Sequence, residues 1–156
     1  AEFRASLTLP VLLQGETSKA QLLAQFVAAG NALLVATSSF WEGVDVRGDT
    51  LSCVIIDKLP FTSPDDPLLK ARIEDCRLRG GEPFEDVQLP DAVITLKQGV
   101  GRLIRDVDDR GVIVICDSRL VMRPYGKTFL ASLPAASRTR NLQHAIDFLK
   151  RNTENA

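Results

Sequence analysis

The chain contains 156 residues, of which 45% are hydrophobic and 25% charged, and this size and balance are typical of one soluble globular domain. Its formal net charge of −1 excludes a basic field over the whole surface, and no apolar run is long enough to span a bilayer. The three cysteines and the single histidine lack the spacing of a metal site, so we expect no metal or iron–sulfur site made by this chain alone and predict buried thiols at Cys53, Cys76 and Cys116.

Four short apolar segments predict buried β-strands at residues 9–15, 32–37, 51–57 and 110–117. Apolar residues at helical spacing predict α-helices at residues 16–30, 67–80, 89–106, 125–133 and 139–151. In the first of these helices, Thr17 or Ser18 can cap the start and Gly30 can end it. Together these elements predict an α/β fold, with residues 1–156 forming one domain built on a doubly wound parallel sheet with helices on both faces.

Two polar loops leave the carboxyl ends of predicted strands, which is where ligands bind in sheets of this kind. Residues 37–49, TSSFWEGVDVRGD, follow the second strand, and residues 58–67, KLPFTSPDDP, follow the third. The helix predicted at residues 89–106 begins soon afterwards. We therefore expect these three segments to converge on one site.

The segment KQGVGRLIR, residues 97–105, combines a glutamine with two glycines and two arginines. On a helix, Gln98, Arg102 and Arg105 would form one polar stripe, because steps of four and three residues return to the same face. Gly99 and Gly101 each cost a helix roughly 1 kcal/mol relative to alanine, which indicates that something approaches the backbone there. The stripe fits either a solvated basic face or a set of donors for a phosphate, which guanidinium groups bind in forked pairs.

Several common signatures are missing or incomplete. The chain has no G-x-x-x-x-G-K-[ST] sequence and therefore no phosphate-cradling P-loop. The segment GVGRLI has Ile104 where the third glycine of a dinucleotide-binding motif belongs. The sequence CDSR at residues 116–119 follows a predicted strand, but no histidine is nearby to activate the thiol, so we expect Cys116 to be buried.

Two longer segments carry a family resemblance. Residues 36–61, ATSSFWEGVDVRGDTLSCVIIDKLPF, resemble motif V of superfamily 2 helicases, and residues 98–119, QGVGRLIRDVDDRGVIVICDSR, resemble motif VI. Because both occur in order, residues 9–150 resemble the second RecA-like lobe of the DinG/XPD-like iron–sulfur DNA helicases. The resemblance implies an ATP-dependent 5′→3′ DNA helicase acting in DNA repair, of which this lobe would be inactive without the first lobe of the same polypeptide.

The resemblance also implies a role for each matching position. The implied catalytic groups are the arginine finger Arg105, with Arg102 beside it and Gln98 at the γ-phosphate or the attacking water. The implied nucleotide-binding residues are Glu42, Gly43, Asp45 and Gly101. The implied DNA-backbone contacts are Thr37, Ser38 and Ser39, while Trp41 would either stack on a base or pack the loop down.

Cofactors and partners follow from the same resemblance. ATP and Mg²⁺ are expected to bind with the first lobe, which is also expected to hold a [4Fe–4S] cluster, and none is expected in this chain. The implied nucleic-acid partner is single-stranded or forked DNA, and no membrane partner is expected. Within this family the chain most resembles a bacterial type. That resemblance implies a further partner, the chi subunit of the DNA polymerase III clamp loader. The implied location is the bacterial cytoplasm, with the protein associated with the nucleoid.

The C-terminal segment SRTRNLQHAIDFLKR leaves two alternatives open. An apolar stripe on the predicted helix 139–151 could dock on the chain's own sheet, as most terminal helices do. Arginine and aromatic residues near it are also typical of interface anchors. The residues expected to bind a protein partner are Arg138, Thr139, Arg140, Leu142, Ile146 and Phe148. The alternative function for the whole chain is therefore a non-catalytic α/β module that docks a replication or repair protein.

Overall fold

The computed structural model describes residues 7–41, 51–102 and 110–153, and it has the α/β class that the sequence predicts. The strands are β1 (Val11–Leu13), β2 (Leu33–Val35), β3 (Cys53–Ile56) and β4 (Val112–Ile115). The helices are α1 (Lys19–Ala29), α2 (Pro67–Leu78), α3 (Leu89–Val100), α4 (Arg119–Met122), α5 (Gly126–Ser132) and α6 (Leu142–Thr153). A 3₁₀ turn covers Ser38–Trp41, and a π-helical turn over Phe84–Gln88 leads into α3.

Strand pairing is parallel, as predicted, and within the described ranges it forms two separate pairs. β1 pairs with β2 with Val11 opposite Leu33, and β3 pairs with β4 with Cys53 opposite Val112. The expected cover on both sheet faces is incomplete, since Ile55 on β3 is 62% exposed. Alternating side chains of a strand point to opposite faces, so Ile55 lies on the opposite face from its buried neighbour Ile56.

Local sequence signals explain where the first two long helices begin and end. Ser18 caps α1 by accepting a hydrogen bond from the backbone N–H of Gln21 at 3.3 Å, and Gly30 ends the helix with φ of 66°. Asp66 caps α2 by accepting from the backbone N–H of Leu69 at 2.8 Å, and Pro67 stands at the start of that helix. These caps satisfy backbone donors that have no partner inside the helix.

The main core lies between α3, α5 and the β3–β4 pair. Its buried members are Ile56, Leu59, Leu89, Ala92, Leu96, Val100 and Phe129. A second, smaller core joins Leu22 of α1 to Phe40 of the 3₁₀ turn, with side chains of β1 and β2 packed against them. The elements that carry the predicted functional residues are therefore anchored by buried apolar side chains.

Candidate functional site

The carboxyl ends of β1 and β2 meet at one edge, because the two strands are parallel and paired in register. Gln14 follows β1, and its side-chain Oε1 accepts hydrogen bonds from the backbone N–H of Thr37 at 2.8 Å and from the Thr37 hydroxyl at 3.0 Å. The Thr37 hydroxyl also lies 2.8 Å from the hydroxyl of Ser39. Two of the three predicted DNA-contacting hydroxyls therefore belong to one network with Gln14, a residue that the sequence reasoning missed.

An open cleft of about 250 Å³ lies beside this network. Its lining mixes polar and apolar groups, and consists of Gln14, Gly15, Thr17, Lys19, Leu22, Ser39 and Phe40. Phe40 is only 4% exposed, and the Lys19 ammonium stands 5.0 Å from the centre of its ring, within cation–π range. The cleft thus combines hydroxyl, amide and ammonium groups at the strand edge where the sequence predicts contacts to DNA phosphates.

The glutamine–arginine segment differs from its predicted form. The sequence predicts one helix over residues 89–106, but α3 ends at Val100 and residues 101–102 form a turn, so the prediction is wrong for those two residues. The turn is held by hydrogen bonds from the backbone N–H of Gly101 to the Lys97 carbonyl at 2.9 Å and from that of Arg102 to the Gly99 carbonyl at 3.2 Å. Gln98 and Arg102 therefore lie on a helix end and on the turn after it, rather than on one continuous helical stripe.

The residues at this helix end differ in how far they are exposed to solvent. Gln98 is exposed, Val100 is fully buried, and Arg102 is half-buried with its Nε inside the protein. A Cβ atom at position 101 would lie 3.1 Å from the Lys97 carbonyl oxygen, a tight contact that a shift of a few tenths of an ångström would relieve. Arg105 lies outside the described residues, as do Glu42, Gly43 and Asp45.

The two motif segments come together in space. Residues of the 3₁₀ turn, which includes Ser38 and Ser39, contact α3, which carries Gln98. The turn also ends with Trp41, whose role in stacking or packing stays a prediction. This contact agrees with the expected convergence of residues 37–41 and the glutamine–arginine helix.

The loop after β3 is hydrogen-bonded to the segment that follows β4. Asp117, which follows β4 and has a side chain only 7% exposed, accepts from the backbone N–H of Leu59 at 2.9 Å. The same carboxylate binds the Arg119 guanidinium, with Nη2 at 2.6 Å, and accepts from the Arg119 backbone N–H at 3.0 Å. Arg119 in turn stands 5.5 Å from the centre of the Phe61 ring. Sequence reasoning missed this clamp, although a polar triplet directly after a buried strand was a usable signal.

Electrostatics at the clamp follow from these contacts. Hydrogen bonds from Arg119 hold the pKa of the Asp117 carboxyl well below its ordinary value, and the backbone N–H groups of Leu59 and Arg119 act in the same direction. Burial acts against them, since it disfavours a charged carboxylate. Asp117 is therefore a charged acceptor that holds the start of the KLPF loop against the end of β4.

The cysteines depart in part from expectation. Cys76 is buried and Cys53 half-buried, but Cys116 is exposed, so its predicted burial is wrong. Cys116 follows Ile115, the last residue of β4, and its side chain reaches solvent although its backbone N–H still bonds to the Ile56 carbonyl at 2.8 Å. Within residues 7–41, 51–102 and 110–153, no three histidine, cysteine or acidic side chains are grouped so that they could hold a metal ion. In the same ranges, no helix is both long and apolar enough to cross a membrane.

The C-terminal helix α6 packs against β4 through one face and exposes the other. Asn141 caps the helix by accepting from the backbone N–H of Gln143 at 2.9 Å, and the Thr139 hydroxyl accepts from the Asn141 N–H at 3.0 Å. Ala145, Ile146 and Leu149 are half-buried, whereas Leu142 is 68% and Phe148 is 37% exposed. Ahead of the helix Arg140 is exposed, and the Arg138 guanidinium donates to the Leu130 carbonyl at 2.9 Å, which ties the preceding segment to α5.

Residues 2–136 match the helicase C-terminal domain family. The chain is 84% identical over 148 residues to the ATP-dependent DNA helicase YoaA of Escherichia coli strain K12, which covers 95% of this chain and 23% of that protein. It is 72% identical over 148 residues to the protein of the same name from Haemophilus influenzae, with the same coverage of 95% and 23%. It is also 46% identical over 131 residues to the 3′-5′ exonuclease DinG of Bacillus subtilis, covering 83% of this chain and 14% of that protein. The chain thus spans less than a quarter of each of these relatives.

Proposed function

Because the chain belongs to the helicase C-terminal domain family, we propose that it is the second RecA-like motor lobe of an ATP-dependent DNA helicase. The predicted resemblance to the DinG/XPD-like branch is confirmed by the family match and by the identity to YoaA and DinG proteins. The observation that carries the functional proposal is the contact between the 3₁₀ turn Ser38–Trp41 and α3, because it joins the segment proposed for DNA to the segment proposed for ATP. From the resemblance we further propose 5′→3′ unwinding in DNA repair.

The proposed chemical role of the glutamine–arginine segment is charge stabilisation. Phosphoryl transfer depends mainly on positioning and on neutralising charge at the phosphoryl oxygens, and an arginine finger typically contributes about 10³-fold or more in turnover. In this proposal Arg105 is the finger, Arg102 is the second cation, and Gln98 orients the attacking water or the γ-phosphate. The half-buried position of Arg102 supports this role, because it restricts the side chain to few conformations before the substrate arrives.

We assign the remaining nucleotide contacts to motif V and to Gly101 of motif VI. In this role Gly43 and Gly101 allow close approach of the backbone, Asp45 accepts from the ribose hydroxyls, and Glu42 is a further nucleotide contact. The exposed cleft at Gln14, Thr17, Lys19 and Ser39 supports DNA-backbone binding at the other end of the same motif, with Thr37, Ser38 and Trp41 adjacent. Movement of the lobe during ATP turnover would then shift the strand held at the cleft.

The family implies ATP, Mg²⁺ and a [4Fe–4S] cluster, and the described residues suit these three groups to different degrees. The guanidinium and amide donors at the end of α3 fit the phosphates of ATP, which is the substrate. The described residues offer no cluster of ligands suited to Mg²⁺ or to an iron–sulfur centre. From the family resemblance we assign Mg²⁺, which neutralises phosphate charge, and the [4Fe–4S] cluster to the first lobe.

The test uses the complete protein rather than the lobe. Arg105→Ala and Arg102→Ala are each expected to lower DNA-stimulated ATPase activity by about 10³-fold, and Arg→Lys variants at either position are not expected to restore it, because an ammonium lacks the planar fork. Arg123→Ala removes an exposed arginine on the described surface and serves as the matched control. Wild-type ATPase activity in both alanine variants would show that the stripe is only a solvated basic face.

A second role, docking of a protein partner on α6, is favoured by the exposure of Leu142 and Phe148. We propose that Leu142 and Phe148, together with Arg138, Thr139, Arg140 and Ile146, bind the chi subunit of the DNA polymerase III clamp loader. Deleting residues 137–156 should abolish co-purification with chi, but it also uncovers β4, which α6 contacts.

Point variants separate partner docking from packing. Leu142→Ala combined with Phe148→Ala removes two exposed apolar side chains, so it is expected to weaken chi binding at least tenfold with little change in thermal stability. Leu78→Ala, on α2, removes another exposed leucine and is the control. Unchanged chi affinity in the double variant would place the interface elsewhere.

A further inference from the structure

The side-chain amide of Gln14 has only one orientation that fits its hydrogen bonds. The backbone N–H of Thr37 can only donate, and it lies 2.8 Å from the side-chain atom of Gln14 that faces it. That atom must therefore be the oxygen Oε1, which places the Gln14 NH₂ group on the other side of the amide. Gln14 is exposed and lines the cleft, so this NH₂ group is accessible to a ligand that enters it.

The orientation of Gln14 fixes the direction of the neighbouring hydrogen bonds. The Thr37 hydroxyl lies 3.0 Å from Oε1, which only accepts, so Thr37 donates its single hydroxyl hydrogen to Gln14. Ser39 lies 2.8 Å from the Thr37 hydroxyl and must supply the hydrogen of that second bond. Ser39 thus donates to Thr37, and Thr37 donates to Gln14, so both hydroxyl hydrogens are used. We call this chain of hydrogen bonds, from Ser39 through Thr37 to Gln14, the relay.

The direction of these hydrogen bonds determines which groups at the strand edge can donate a hydrogen bond to DNA. A phosphodiester oxygen accepts hydrogen bonds and does not donate them, whereas Thr37 and Ser39 in the relay present only lone pairs. The backbone N–H of Thr37 is also bonded to Gln14. Ser38 takes no part in this relay. The hydrogen-bond donor that the relay itself presents toward the cleft is therefore the NH₂ group of Gln14.

We propose that Gln14 is both a positioning residue and a direct contact of the DNA track, and this inference rests on the proposed function of the lobe. Its carbonyl oxygen holds Thr37 and Ser39 in the relay, and its NH₂ group donates to a backbone phosphate in the cleft. The Lys19 ammonium flanks the same cleft and adds positive charge there. Hydroxyl groups of Thr37 and Ser39 then act through Gln14 rather than on the phosphate.

The test is the single-stranded DNA affinity of the complete protein carrying Gln14→Glu. A glutamate oxygen can accept both bonds from Thr37, so the relay and the thermal stability are expected to be kept. The NH₂ donor is replaced by an anionic oxygen, and the affinity is expected to fall at least about tenfold, the effect of losing one hydrogen bond to a charged group. Gln25→Glu, at an exposed position of α1 outside the cleft lining, makes the same charge change and is expected to have a much smaller effect.

A second variant separates this proposal from direct hydroxyl contact. Thr37→Val removes the hydroxyl that gives its hydrogen to Gln14 but keeps the backbone bond to Oε1, so it is expected to lose less affinity than Gln14→Glu. A larger loss in Thr37→Val, or equal losses in Gln14→Glu and Gln25→Glu, would overturn the inference. Absence of DNA binding by the wild-type protein would instead overturn the proposed function, so the two failures are distinguishable.

Discussion

Replacing Asp117 with asparagine tests how strongly the clamp holds the loop after β3. The carboxylate accepts from the backbone N–H of Leu59 at 2.9 Å and from Arg119 through its backbone N–H, Nε and Nη2 at 2.6–3.0 Å. Asparagine keeps one oxygen acceptor, but it loses the charge and turns the other oxygen into a donor. At least one backbone or guanidinium donor then loses its partner.

The magnitude follows from the burial of the two partners. Hydrogen bonds to a charged group contribute about 1.5–3 kcal/mol, and breaking a fully buried ion pair costs about 3–5 kcal/mol. The Asp117 side chain is 7% exposed, but that of Arg119 is 43% exposed and can turn toward water. We therefore expect a loss of about 2–3 kcal/mol in the free energy of unfolding, or about 4–12 °C in Tm for a domain of this size.

The pH dependence of this loss identifies its cause. Because the pKa of Asp117 is lowered in the folded state, its contribution is complete above the unfolded-state pKa of about 3.9 and is lost progressively as pH falls from that value through the lower folded-state pKa. The Tm values of wild type and Asp117→Asn should differ fully at pH 7, and the difference should narrow progressively as pH falls below about 4, provided that both remain folded there. Asp65→Asn changes an exposed aspartate and should shift Tm little at any pH. A pH-independent difference would refute the ion-pair argument.

Four further outcomes are expected. Phe129→Ala, at a fully buried position of the main core, should lower the free energy of unfolding by about 3–5 kcal/mol in denaturant titrations. Gly126→Ala would place a Cβ atom 1.9 Å from the Leu120 carbonyl oxygen, so it should destabilise the fold by at least about 2 kcal/mol, and wild-type stability would contradict this packing. A thiol reagent should label exposed Cys116 before Cys76, whose pKa is raised by burial and by Asp86, as timed mass spectrometry would show. The 156-residue chain alone should show no Mg²⁺-dependent ATP hydrolysis, and measurable turnover by a clean preparation would contradict the two-lobe proposal.

Much of the fold was readable from the sequence, because it depends on local signals. Apolar runs marked the four strands. Thr17 or Ser18 marked the start of the first helix, where the structure uses Ser18 as the cap, and Gly30 marked its end through a positive φ angle. The motif pair indicated the family, since two ordered segments with fixed residue spacing are far more specific than composition. The roles of Arg105, Gly43 and Asp45 in ATP turnover stay predictions that come from this resemblance.

Other features were decided only by tertiary structure. The apolar period of the glutamine–arginine segment runs on past residue 100, yet α3 ends at Val100, because the backbone N–H of Arg102 bonds to Gly99, three residues back, rather than to Gln98, four residues back. Periodicity shows which residues can share a helix face, but it does not show where a helix must stop. In the same way, the apolar sequence around Cys116 did not reveal that its side chain is exposed just beyond the last residue of the strand.

The contacts that define the candidate site join residues that are distant in sequence. Gln14 and Thr37 are 23 positions apart, and Leu59 and Asp117 are 58 apart, yet each pair is hydrogen-bonded because parallel strands bring their carboxyl ends to one edge. No local pattern encodes such a pairing, since the strand register decides which side chains meet. The sequence by itself determined the strands, the five longer helices and the motif pair, while the tertiary structure added the short helix α4 and determined which donors and acceptors the strands bring together.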